Sequence, residues 1–138
     1  MIIKQISIFV ENKHGRLADI TEILARNNIN ILALSIADTT NFGILRVIVD
    51  NPEHAENVLK EAGLTVSITS VLAVTIDDTP GGLAGCLRLL ADNSIPVEYA
   101  YAFVSQTANK ACVILRIEKD FKALTVLQEA GYTGLEVQ

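Results

Sequence analysis

Residues 2–10 alternate, placing Ile6, Ile8 and Val10 on one face, the period of a half-buried strand. The period then lengthens. Leu17, Ile20 and Leu24 recur at helical spacing, and the helix they predict ends near Asn27-Asn28. Strands are expected at about 30–37 and 44–50, followed by a helix from about 53 to 62 that opens on Pro52 and stops at Gly63. A short strand at 64–69 completes a β-α-β-β-α-β order, with the Ile6-Ile8-Val10 row facing the helices.

The pattern then starts again. Sliding the chain by 66 positions pairs Gly15 with Gly81, Leu17 with Leu83, Leu24 with Leu90, Asn27 with Asn93 and Ile29 with Ile95. A slide of 68 later pairs Glu61-Ala62-Gly63 with Glu129-Ala130-Gly131, and the two extra residues fit a hairpin loop at 104–110, whose first-copy counterpart is 39–43. In the second copy Leu72, Val74 and Ile76 form the helix-facing row, and Leu83, Cys86 and Leu90 form the helix stripe, so Cys86 replaces Ile20. Strands near 97–104 and 111–117, a helix near 120–130 ending at Gly131, and a last strand at 133–137 follow. The expected fold is α+β: two ferredoxin-like βαββαβ repeats, 1–69 and 70–138, with antiparallel sheets and the helices on one face.

Almost no linker separates the copies, because the strand ending at Thr69 runs on through Ser70. The sheet face away from the helices is not plainly polar: Ile44 and Ile48 fall there in one copy, Cys112 and Ile114 in the other. Tyr99, Tyr101 and Phe103 also share a strand face, where the first copy has Ala33, Ser35 and Ala37. Such a stripe reads first as a surface that packs against the other copy or another subunit, and alternatively as a wall for stacking a ligand.

Composition narrows the classes. Half of the 138 residues are hydrophobic and a fifth are charged, which excludes disordered and low-complexity chains. A chain of this length buries roughly two-thirds of its unfolded surface, whereas each half alone would bury only about 60%. The net charge of −5 and the absence of basic clusters argue against nucleic acid and anionic membrane as ligands. The N-terminal segment lacks a basic leader and reads as a strand, and no apolar run approaches the roughly 20 residues of a membrane span. A soluble, cytoplasmic protein is expected. Cys86 and Cys112 form no Cys-x-x-Cys pair and read as small hydrophobes in a reducing compartment.

The chemistry-bearing feature is the junction after the first strand of each copy, Glu11-Asn12-Lys13-His14-Gly15-Arg16-Leu17 and Asp77-Asp78-Thr79-Pro80-Gly81-Gly82-Leu83. A helix start leaves N–H groups unpaired and carries partial positive charge, which suits a carboxylate, and a glycine lets a ligand approach the backbone. Asn12 or Asp78 then faces an α-amino group. Equally, both residues read as ordinary helix N-caps, with the glycines serving the turn.

These two segments resemble the (D/N)-x-x-G-x-L turn of the ACT domain family, and Asn28-Ile29-Asn30-Ile31 resembles the segment opening that family's second strand. The resemblance covers both repeats, so the chain is similar to a tandem pair of ACT domains with no enzyme attached. It implies a non-catalytic regulatory module, without a cofactor, that binds an amino acid or similar small molecule at interfaces between ACT domains. In serine-sensing relatives the contacting asparagines correspond to Asn12 and Asn30. The second copy departs from that pattern, with Asp78 for Asn12 and Pro96 for Asn30, and His14 stands where the family usually has proline. The resemblance therefore points to a site framed by the first-copy turn with Asn30 and Ile31, and closed by a neighbouring copy or subunit. Partners implied are an amino acid, a second copy or higher homo-oligomer, and a metabolic enzyme under regulation.

Other residues carry less. His14 and His54 lack neighbours at metal-ligand spacing, though His14 is placed to touch a ligand in the turn. Asp77-Asp78 point apart on a strand end, and neither cysteine has an activating base, so an enzyme is disfavoured. The competing reading to a sensor is an assembly module that regulates a partner enzyme without a ligand of its own.

Overall fold

The computed structural model describes residues 1–38, 41–104 and 109–135. The hairpin loops at 39–43 and 104–110 and the tail of the last expected strand therefore lie partly outside the described residues. The order is β1 (Ile2–Glu11), α1 (Arg16–Arg26), β2 (Ile31–Asp38), β3 (Phe42–Val49), α2 (Pro52–Glu61), β4 (Thr65–Asp77), α3 (Gly82–Asp92), β5 (Tyr99–Ala102), β6 (Lys110–Arg116) and α4 (Asp120–Glu129). Two βαββαβ ferredoxin-like repeats result. Their residues gather into two compact units, one of Lys4–Thr69 and one of Met1–Ile3 with the described residues that follow Thr69.

In the first unit the strands lie in the order β2-β3-β1-β4. β1 and β3 are antiparallel with Ile6 opposite Val47 and Ile8 opposite Leu45, while β2 pairs with β3 through Leu34–Val47 and Ile36–Leu45. Opposed residues share a face, so Ile6, Ile8, Val10, Leu45 and Val47 form one row. That row meets Ile20 and Leu24 of α1 and Ala55 and Leu59 of α2 in a single cluster. The sequence period thus identified the correct face. α2 starts at Asn51, whose side chain accepts from the His54 N–H, and Gly63 follows its end with φ 87°.

The second unit repeats this with β4-β6-β5. Leu72, Val74 and Ile76 pack with Cys86, Leu90, Leu115 and Leu127, and Cys86 occupies the place of Ile20 as expected. β5 is shorter than the expected 97–104, with Phe103 joining the ladder only through its N–H to Cys112 O at 3.0 Å. The last strand is also curtailed: among the described residues it is an isolated bridge between Thr133 and Thr75. The reason is competition for β4. Two residues further back, the Ala73 N–H donates to Met1 O at 2.8 Å, so the start of β1 takes that place on the ladder. A Cβ on Gly134 would lie 2.6 Å from Ala73 O and 2.7 Å from Met1 Cα, which leaves no room for another residue type.

The face away from the helices is apolar and buried at several positions: Ile48 and Ile114 are 0% exposed, yet neither belongs to its unit's helix-side cluster. The Tyr99 and Tyr101 rings lie 6.5 Å apart and nearly parallel.

Candidate functional site

β1 leaves the sheet at Glu11. The Lys13 N–H donates back to Glu11 O at 2.8 Å and the Asn12 N–H to Asn41 O at 3.0 Å, so the chain turns sharply against the β2–β3 end of the sheet. Gly15 then takes φ 79°, in the left-handed region that glycine alone enters without strain, and stands as the N-cap of α1. No side chain caps this helix, so Asn12 is not its N-cap. The first helical bond runs from the Asp19 N–H to Gly15 O, which leaves Leu17 and Ala18 ahead of it.

These residues line a cleft of about 260 Å³ with Val10, Glu11, Asn12, Lys13, Gly15, Arg16, Ile36, Asp38, Gly43 and Leu45. Its floor is apolar, since Val10 is 8% and Leu45 2% exposed. Leu17 and Ile36 stand half-exposed at its mouth. Two cations, Lys13 and Arg16, and two carboxylates, Glu11 and Asp38, are among its lining. Lys13 Nζ lies 2.7 Å from Glu11 Oε2, and that hydrogen bond, with the charges of Lys13 and Arg16, holds the Glu11 carboxyl below its ordinary range. Asp38 reaches over Gly43: a Cβ there would come within 3.6 Å of Asp38 Oδ1 and 3.1 Å of Ala37 O. The glycine keeps that end of the cleft open.

Of the residues expected from sequence, Asn12, Lys13, Gly15, Arg16 and Leu17 line this cleft. His14 is an exposed residue of the same turn. Asn30 and Ile31 lie elsewhere. Asn30 is tied to Asp50, its N–H donating to Asp50 Oδ1 at 3.1 Å and its carbonyl accepting from the Asp50 N–H at 3.2 Å. Ile31, paired with Val49, packs against the core at the end of β2 remote from Asp38. Glu11, which opens the expected junction, lines it too, whereas Ile36, Asp38 and Gly43 were not anticipated. Only strand pairing brings Ile36, Asp38 and Gly43 beside the turn.

The second turn, Asp78-Thr79-Pro80-Gly81-Gly82-Leu83, has the same backbone: Gly81 is the N-cap with φ 90°, again with no side-chain cap, so Asp78 is not an N-cap either. It differs one residue later. A Cβ on Gly82 would sit 2.0 Å from Asp77 O, so the strand end presses directly on the helix start where the first copy has Arg16. The nearby cleft is lined by Asp77, Lys110, Tyr132 and Thr133 rather than by the turn itself, and Lys110 pairs with Asp77. Burial, with smaller contributions from Cys86 and Asp77, pushes the Tyr132 hydroxyl up.

Both cysteines are buried and unbridged; burial raises the Cys86 thiol and pushes the Cys112 thiol up to about 11, far from the thiolate a nucleophile needs. Among the described residues no group of three or more His, Cys, Asp or Glu side chains is arranged to hold a metal, and no helix is long and apolar enough to cross a membrane.

The family described as ACT domain pair matches residues 1–133. The solved structure of protein BT0572 from Bacteroides thetaiotaomicron is similar at 41% identity and a TM-score of 0.91, covering 98% of this chain and 92% of that one. The regulatory subunit of aspartate kinase from Thermus thermophilus shares the fold at 16% identity and a TM-score of 0.67, covering 95% and 97%. That from Thermus flavus does so at 15% and 0.64, covering 94% and 95%. No curated protein matches the chain.

Proposed function

The chain belongs to the ACT domain pair family, and we propose on that premise that it is a non-catalytic regulatory protein whose first repeat binds a free amino acid. The observation that carries this is the cleft at the uncapped start of α1, where balanced charges accompany an apolar floor. A zwitterion suits that arrangement. Its carboxylate is bound by the helix N-terminus and the forked Arg16 guanidinium, its ammonium by Asp38 and the Asn12 side chain, and an apolar side chain lies over Leu17 and Ile36. Lys13 is already engaged by Glu11 and contributes less. The cleft is small beside the roughly 300–1,000 Å³ typical of drug-sized ligands, in keeping with a metabolite of about ten heavy atoms held at micromolar to millimolar affinity. The second turn, closed by Asp77 over Gly82, is the lesser site.

Thermal denaturation against the twenty amino acids tests this. A ligand at 100 times its dissociation constant adds about 2.7 kcal/mol, a clear upward shift in Tm. Arg16→Ala is expected to abolish the shift with little loss of stability, because Arg16 sits on the rim rather than in the core. If no amino acid moves the wild-type curve, the sensor reading fails.

One observation favours a partner enzyme as well. The outer side of α3 carries Leu83, 40% exposed, and open clefts flank Leu87, Arg88 and Ala91 and, beside Pro96 and Val97, a mostly apolar stretch. A surface of this kind suits docking on another protein, and the regulatory subunits of aspartate kinase among the structural neighbours make an enzyme subunit its natural partner.

A further inference from the structure

The two repeats share their glycine turns, but they part at one place beside them. In the first copy Phe9 and Phe42 meet with ring centroids 4.6 Å apart, and Leu64, which follows Gly63, packs against the core. The offsets of 66 and 68 put Thr75, Lys110 and Tyr132 at those three positions. The strand registers agree, since Glu11 pairs with Phe42 as Asp77 pairs with Lys110. Where the first copy has the two rings, the second has a cleft of about 260 Å³, with Thr75, Ile76, Asp77, Lys110, Tyr132 and Thr133 in its lining.

The groups around this cleft are polar and of both charges. Tyr132 keeps the core contact of Leu64, but its hydroxyl reaches beyond a leucine, to 3.6 Å from where a Cβ on Gly85 would stand. The first copy has Asp19 at the position of Gly85. Burial, then the charges of Cys86 and Asp77, raise the hydroxyl, so it keeps its proton and serves as a donor. Lys110 pairs with Asp77, yet the two side chains are 53% and 64% exposed, and an ion pair so exposed is weakly held and readily shared with a ligand. The Thr75 N–H donates to Thr133 O at 2.8 Å, which fixes the spacing between β4 and the segment carrying Tyr132.

We propose that this cleft is a small-molecule site of the second repeat, taking a short carboxylate with a hydrogen-bond donor on the neighbouring carbon, an α-amino or α-hydroxy acid. The carboxylate lies between the Lys110 ammonium and the Tyr132 hydroxyl, and the donor meets the Asp77 carboxylate. Ile76 and Ala130 are the aliphatic side chains of the lining, enough for a methyl group but not for a long apolar side chain. The ligand is therefore smaller and more polar than one seated on the Val10 and Leu45 floor of the first cleft. The site stands on the second repeat alone and does not depend on what the first cleft binds.

L-alanine, L-lactate and propionate test it, because they share one carbon frame and differ in the group on the second carbon: ammonium, hydroxyl or hydrogen. The chain used is Arg16→Ala, with the first cleft disabled. Labelling of Cys86 and Cys112 reports this unit, in which both thiols are buried. At ten times its dissociation constant a ligand lowers opening of the unit about tenfold, and labelling slows with it. Alanine or lactate should slow labelling and propionate should not; whichever acts identifies the donor as ammonium or hydroxyl. Lys110→Gln and Tyr132→Phe are each expected to weaken the acting acid about tenfold with an unchanged circular dichroism spectrum. Thr75→Phe together with Lys110→Phe gives this repeat the rings of the first and should abolish the response. No protection by either acid, equal protection by propionate, or protection that survives Lys110→Gln overturns the site. A response of the wild type that is lost in Arg16→Ala belongs to the first cleft and overturns it as well.

Discussion

Gly15 and Gly81 hold the same left-handed backbone, but the residues after them meet different surroundings. A Cβ on Gly15 would touch nothing within 4 Å, so Gly15→Ala costs only the conformational penalty, about 1–2 kcal/mol. Gly82→Ala drives a Cβ into Asp77 O and demands a backbone shift. Urea denaturation should therefore show Gly82→Ala to be the more destabilised of the two; equal losses would contradict the close approach. The shared glycines were legible as a turn requirement because glycine enters that region of φ at the least cost. That Asn12 and Asp78 leave both helices uncapped was not. An asparagine three residues before a glycine satisfies the pattern of a cap as well as that of a turn, and only backbone geometry separates the two.

Among the elements, α2 has the sharpest start. Asn51 accepts from the His54 N–H at 3.3 Å and Pro52 follows at the first helical position. Asn51→Ala is expected to cost about 1 kcal/mol and lower Tm, with the binding cleft unaffected because none of its lining residues belongs to α2. A loss of ligand affinity in that variant would show the cleft to depend on α2. The helices were readable because each carries its apolar stripe at helical spacing and stops at a residue with positive φ or at asparagine. The strand ends were not. Among the described residues the last strand meets β4 only as a bridge at Thr133, because Met1 has taken the neighbouring place on β4; β5, which pairs with β6 alone, runs shorter than its alternating pattern.

At the scale of the whole molecule, both cysteines lie in the unit that starts at Ser70, so their reactivity reports the opening of that unit. The native chain should react with a disulfide reagent far more slowly than the unfolded chain, and the two thiols should become labelled as that unit opens. Rapid labelling of the native chain would contradict their burial. The folded state favours the protonated Cys112 thiol, raised from 9.0 to about 11, so this contribution to stability is present below pH 9 and lost as pH rises toward 11. Denaturation midpoints should accordingly fall across that interval, and Cys112→Ala should flatten the fall. By itself the chain's order of apolar periods determined two βαββαβ repeats, the helix-facing rows and the position of the glycine turns at Gly15 and Gly81, because periodicity and glycine placement are local properties. The tertiary structure alone decided that Ile36, Asp38 and Gly43 join that turn, that Asn30 stands a strand's length away, and that Met1 serves the second unit. Those outcomes depend on which strands compete for the same hydrogen bonds, and that competition involves residues remote in sequence.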